Sequence, residues 1–116
     1  MEIVMARGDL AVRSFVIRHP NKQPYTDTLD NIYFTVKKSY IDKEYKFQKR
    51  LSDGGIIHVG DGRYQFTIEP EDTNDMSFGE YDFDIEIVKE GELKKTFPGK
   101  LVLKKEITHY YNEGDE

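Results

Sequence analysis

Two short segments that alternate apolar and polar residues constrain this chain more than any other feature. Tyr64-Gln65-Phe66-Thr67-Ile68 and Tyr81-Asp82-Phe83-Asp84-Ile85-Glu86-Ile87 each place an aromatic or aliphatic side chain at every second position. A strand turns successive side chains to opposite faces, so a two-residue period marks a half-buried strand. Tyr64, Phe66 and Ile68 form one apolar row, and Tyr81, Phe83, Ile85 and Ile87 form another. A polar, proline-containing crossing joins them. Nothing between Tyr64 and Val88 is basic.

The same alternation recurs along the chain. A short strand is predicted over about Glu2 to Ala6, followed by a tight connection at Arg7-Gly8-Asp9. Leu10 to Arg18 reads as a second strand. Leu10, Val12 and Val16 lie on one of its faces, with Ala11, Phe15 and Ile17 on the other, so the inward row stays open. His19 to Pro24 is a turn, because two prolines fix φ and remove backbone donors. Tyr25 to Asp30 is a polar approach segment. Asn31 to Lys38 is a strong strand with Ile32, Phe34 and Val36 inward. Ser39 to Glu44 is a loop or a single helical turn. Tyr45 to Leu51 alternates again, with Tyr45, Phe47 and Leu51 on one side.

Asp53-Gly54-Gly55 is a turn, Ile56 to Val59 a short strand, and Gly60-Asp61-Gly62 a hairpin connection. Lys89-Glu90-Gly91-Glu92 is another hairpin. Leu93 to Phe97 leads back, Pro98-Gly99 is expected to interrupt, and Lys100 to Thr108 closes the sheet. Seven or eight short strands at this spacing, with no helical apolar face, predict an all-β antiparallel sandwich. One domain over residues 1–108 and an acidic, fraying tail over residues 109–116 are expected.

Composition narrows the function classes. The chain has 116 residues, no cysteine and no tryptophan, and a net charge of −5. Disulfides, thiolate nucleophiles and cysteine-based zinc sites are excluded. The acidic balance argues against general nucleic-acid binding, which needs Lys and Arg to neutralise phosphate. No run approaches the length of a membrane span, and Met1 to Arg7 lacks the basic and apolar regions of a signal peptide. If Met1 is the native start, synthesis and folding in the cytoplasm are expected.

Eight carboxylates lie between Glu69 and Glu86. Such a cluster could hold calcium, but its spacing is not that of an EF-hand loop. A solvated sandwich corner is the stronger reading. Pro70 suits the first turn of a short helix there, with Glu71 and Asp72 at its positive end. Met76 and Phe78 are expected to plug the sandwich, and Tyr81 to form a tyrosine corner.

Asp82, Asp84 and Glu86 project outward, with Lys94 and Lys37 as candidate neighbours. They read as a cross-strand charge ladder rather than as paired glycosidase acids, which need a cleft and an apolar pocket. His19, His58 and His109 show no metal-ligand spacing. Ser14, Ser39, Ser52 and Ser77 lack a nucleophile-elbow setting. Arg7-Gly8-Asp9 matches an integrin-recognition tripeptide, but a turn explains it. Lys89, Lys94, Lys95, Lys100, Lys104 and Lys105 read as edge protection, with a self-association surface as the alternative. No catalytic, cofactor-binding or metal-binding residue is assigned, and no enzyme is expected.

The ordered residues resemble a known group. Arg7-Gly8-Asp9, Gln23-Pro24-Tyr25, Ile32 to Lys38, Gly62 to Ile68 with Pro70-Glu71-Asp72-Thr73, Gly79 to Ile85, and Phe97 to Leu103 carry the likeness. Across about residues 3–108 the chain resembles small immunoglobulin-like phage and prophage structural proteins. The likeness is greatest to the amino-terminal domain of the baseplate upper protein family. The resemblance implies a non-catalytic virion module that joins other phage structural proteins. It also implies a homo-oligomer or copy-rich assembly, and location in the virion after synthesis in the host cytoplasm. Longer family members carry a receptor-binding part downstream. This chain ends at Glu116, so a tail-accessory, adaptor or decoration subunit is expected instead. A bacterial surface adhesion or carbohydrate-binding sandwich is the alternative, with Tyr33, Tyr40, Tyr110 or Tyr111 stacking on sugars.

Overall fold

The computed structural model describes residues 1–105, and the expected strand end at Thr108 and the tail lie outside them. Eight strands and one short helix follow in order: β1 (Glu2–Ala6), β2 (Ala11–Val16), β3 (Asn31–Lys37), β4 (Phe47–Arg50), β5 (Ile56–Gly60), β6 (Arg63–Ile68), α1 (Pro70–Thr73), β7 (Gly79–Lys89) and β8 (Leu93–Lys104). They form a five-stranded sheet, β1-β8-β7-β3-β4, and a three-stranded sheet, β2-β6-β5. β3, β7 and β8 share one sheet while β2, β5 and β6 share the other, which is the grouping of an immunoglobulin-like sandwich.

The antiparallel expectation needs one correction. β1 runs parallel to β8, from Glu2 opposite Lys100 to Ala6 opposite Lys104. Parallel neighbours need a long connection, and here almost the whole chain lies between them.

The two apolar rows meet as the alternation requires. Ile32, Phe34 and Val36 of β3 face Tyr64, Phe66 and Ile68 of β6, all buried. Phe34 stacks on Phe66 at 4.1 Å between ring centroids, joining the two sheets, and lies 5.1 Å from Phe83. These rings hold the centre in a chain with neither disulfide nor tryptophan. Fully burying one such side chain contributes about 1.5–3 kcal/mol.

The open question on β2 is resolved in favour of the odd-numbered row. Ala11 and Ile17 are buried, while Leu10 and Val12 are exposed. Leu29, in the segment read as a polar approach, is also in the core at 4% exposure. The alternation puts Tyr45 on the same side as Phe47, yet Phe47 is buried and Tyr45 is 48% exposed. β4 begins only at Phe47, so Tyr45 precedes the sheet geometry that would have turned it in.

Pro98-Gly99 does not interrupt the last strand. β8 pairs with β7 without a break from Leu93 to Leu103. Lys100 donates its backbone N–H to the carbonyl of Met1, on the β1 side. Residues two apart on a strand turn their amides the same way. The nitrogen of Pro98 therefore faces the edge before β1 begins, where a missing donor breaks no ladder.

Gly62 closes the β5–β6 hairpin with φ 67°, and a Cβ there would meet the carbonyl oxygen of Ile17 at 2.6 Å. Only glycine suits both demands.

Candidate interaction surface

Two of the four crossings between the sheets, β1–β2 and β6–β7, meet and are bonded together. The turn after β1 sends Gly8 N–H to the hydroxyl of Thr73 at 2.8 Å. Thr73 ends α1 and is completely buried. Arg7 donates to the carbonyl of Met76 at 3.2 Å, and its guanidinium lies 4.1 Å from the centre of the Phe78 ring. The arginine of the Arg-Gly-Asp tripeptide is thus committed within the molecule. Met76 is buried, as a plug should be, but Phe78 is 44% exposed and serves as the platform under Arg7.

α1 begins as its sequence directs. Pro70 occupies the first turn, and the carboxylate of Asp72 accepts the N–H of Glu69 at 2.7 Å. The same carboxylate oxygen pairs with Lys49 Nζ of β4 at 2.6 Å. Tyr81 opens β7 as a tyrosine corner: its hydroxyl donates to the carbonyl of Ser77 at 2.7 Å.

The outer face of the larger sheet carries the acidic row. Lys37, Asp82 and Lys100 stand side by side across β3, β7 and β8. Asp82 pairs with Lys100 at 2.6 Å and accepts the backbone N–H of Tyr40 at 2.9 Å. The Lys100 hydrogen bond, then the Tyr40 amide, hold its carboxyl below the usual carboxylate range. Of the two expected neighbours, Lys37 is adjacent to the row, whereas Lys94 lies opposite Val88. Lys100, which the sequence reading grouped only with the closing lysines, makes the ion pair. Its spacing from Asp82 is set by a hairpin register that sequence alone does not give.

Asp84 sits next along, between Thr35 and Pro98. Burial, then the charge of Glu86, push its carboxyl up, and Lys37 pulls it partly back. It lines two shallow hollows on this face. One of about 630 Å³ includes Tyr40, Thr96 and Lys100, and one of about 520 Å³ includes Tyr33, Tyr45 and Gln48. Both hollows are open to solvent and are bordered by tyrosine rings beside hydroxyl, lysine and carboxylate groups. Among the described residues no group of three acidic or histidine side chains is placed to hold a metal ion. His19 lies tilted against Tyr25, His58 stacks on Tyr64, and His109 lies outside the described residues.

The lysine-rich closing region, read as edge protection, does include a backbone edge of β8, whose extent the sequence does not give. β1 covers β8 only from Lys100 to Lys104. Leu93 to Gly99 therefore has β7 on one side and, among the described residues, no strand on the other. The signal was present in Lys94, Lys95 and Pro98, which are edge-type residues. The expected break at Pro98-Gly99 hid only how far the strand runs unbroken. No helix among the described residues is long and apolar enough to cross a membrane. No protein-family model matches this chain, and no match is found among the curated proteins.

Proposed function

We propose that the protein is a non-catalytic structural module of a phage or prophage particle, acting as a tail or baseplate accessory, adaptor or decoration subunit through protein–protein contacts. Its affiliation rests on the likeness of Arg7-Gly8-Asp9, Gly62 to Thr73 and Phe97 to Leu103 to baseplate upper protein amino-terminal domains. The contact role rests on one observation, the β8 edge from Leu93 to Gly99, which no strand among the described residues covers. An uncovered sheet edge binds by main-chain hydrogen bonds and needs no reactive group. Self-association into a copy-rich assembly in the virion belongs to the same reading.

Light scattering over a concentration series tests the assembly. A mass that rises above the monomer with concentration is expected, and a strict monomer at the highest concentration contradicts self-association. Gene context tests the affiliation: tail, capsid or holin genes alongside agree with it, and a cell-wall operon overturns it.

A second reading draws on the two hollows. Tyr40 is 77% exposed and Tyr45 48%, each bordering a hollow with polar groups such as Thr35 and Asp84. Rings beside hydrogen-bonding groups are what a carbohydrate-binding or adhesive sandwich requires. Quenching of tyrosine fluorescence by cell-wall oligosaccharides, lost in Tyr45→Ala, would favour it.

A further inference from the structure

The open stretch of β8 is a specific template. Lys100 turns its backbone N–H to β1, bonding Met1 at 3.1 Å. By the strand period, Thr96 and Lys94 turn both N–H and C=O to that same side, and Pro98 turns its carbonyl there. The intervening residues Lys95 and Phe97 face Ile87 and Ile85 of β7. Two donors and three acceptors are thus aimed into the column that β1 occupies further along. The template has a chemical character as well. Lys94 and Lys95 are exposed, and Phe97, on the core side of the sheet, is 41% exposed. Leu93 packs partly buried against the core on that same side.

These features choose between occupants. Two copies pairing antiparallel about Thr96 would set Lys94 opposite Pro98 and Lys95 opposite Phe97, so neither lysine would gain an acidic partner. A strand bearing carboxylates beside Lys94 and Lys95, with an apolar side chain beside Phe97, meets both the charge and the exposed ring. We propose that the β8 edge captures an extended acidic segment of a partner protein as an added strand that continues the β1 column. This rests on the contact-module reading and names the chemistry of the partner.

The test uses the isotope-labelled full chain with its purification tag after Glu116, so that Met1 is left clear. The probes are a synthetic peptide repeating Glu-Glu-Thr-Val, which can set acids beside Lys94 and Lys95 and an apolar residue beside Phe97, and the same peptide with Lys replacing Glu. In the free protein the amides of Lys94 and Thr96 are expected to exchange rapidly with deuterium. With the acidic peptide they shift and become protected; with the basic peptide they do not. Thr96→Pro removes an edge donor without touching the β7 ladder and is expected to weaken binding by about tenfold or more. Lys94→Glu with Lys95→Glu reverses the peptide preference.

Slow exchange of both amides in the free chain would overturn the proposal. Shifts confined to another surface, or full binding by Thr96→Pro with its spectrum otherwise intact, would do the same. If the edge fails while the chain is still a particle component, the edge assignment and the contact role drawn from it fall, and the phage affiliation stands. If the acidic peptide binds as described but the chain is absent from particles, the edge assignment stands and the phage affiliation falls.

Discussion

Phe83 lies across Gly99. The two are cross-strand partners in β7 and β8, and a Cβ added to Gly99 would stand 2.6 Å from Cε1 of the ring, against its Cζ, and 2.8 Å from the carbonyl oxygen of Met1. The glycine leaves room for a ring that also lies 5.1 Å from Phe34 in the core. One residue pair thus joins the hairpin, the start of β1 and the aromatic centre.

Gly99→Ala should therefore lower stability by roughly 1–3 kcal/mol, as overpacking does. Phe83→Ala should cost about 3–5 kcal/mol through the cavity it leaves. The double variant should lose less than the sum, because removing the ring clears the space that the alanine needs. Urea denaturation of the four proteins checks this, and simple additivity would contradict the contact.

Tyr81→Phe isolates the corner. It keeps the ring in the core and removes the hydroxyl that bonds the carbonyl of Ser77. A loss of roughly 1–3 kcal/mol is expected if that carbonyl is left without a partner, measured by thermal or urea unfolding.

Thr73→Val tests the bond between the two crossings. The side chain keeps its shape but strands the N–H of Gly8, at an expected cost of about 1–3 kcal/mol. Thr73→Ser retains the hydroxyl and should lose less. Equal losses in the two variants would assign the effect to packing.

The two neighbouring acids of β7 should respond to pH in opposite senses. Asp82 is held low by Lys100 and the Tyr40 amide, so its stabilisation is present above its unfolded pKa and is lost as pH falls through its folded value. Asp84 is raised by burial and Glu86, so its charge costs stability above its folded pKa, and that cost disappears on acidification below its unfolded value. Asp82→Asn should lower the melting temperature at neutral pH and have little effect in strong acid. Asp84→Asn should raise it at neutral pH, by less than about 1 kcal/mol in stability, and also lose its effect in acid. Thermal melts across pH read both signs.

Much of the sandwich was legible because alternation reports burial directly. The rows Ile32-Phe34-Val36, Tyr64-Phe66-Ile68 and Tyr81-Phe83-Ile85-Ile87 turned inward as their spacing required. The α1 start at Pro70 and the corner at Tyr81 followed from residue chemistry. What failed depended on neighbours. Pro98 is tolerated because its nitrogen meets an edge, and Gly99 because Phe83 covers it; neither fact is local to the sequence. Phe78 left the core because Arg7, far away in the chain, lies over it. The parallel β1–β8 pair and the edge beyond it are long-range facts, hidden for the same reason.

The claim that this chain is a structural module of a phage particle is tested most directly by quantitative mass spectrometry of density-banded particles induced from the strain that carries its gene. The protein is expected to band with the particles in a fixed copy ratio to tail or baseplate proteins. Its absence from the banded particles, with recovery in the cell-wall fraction, would contradict it.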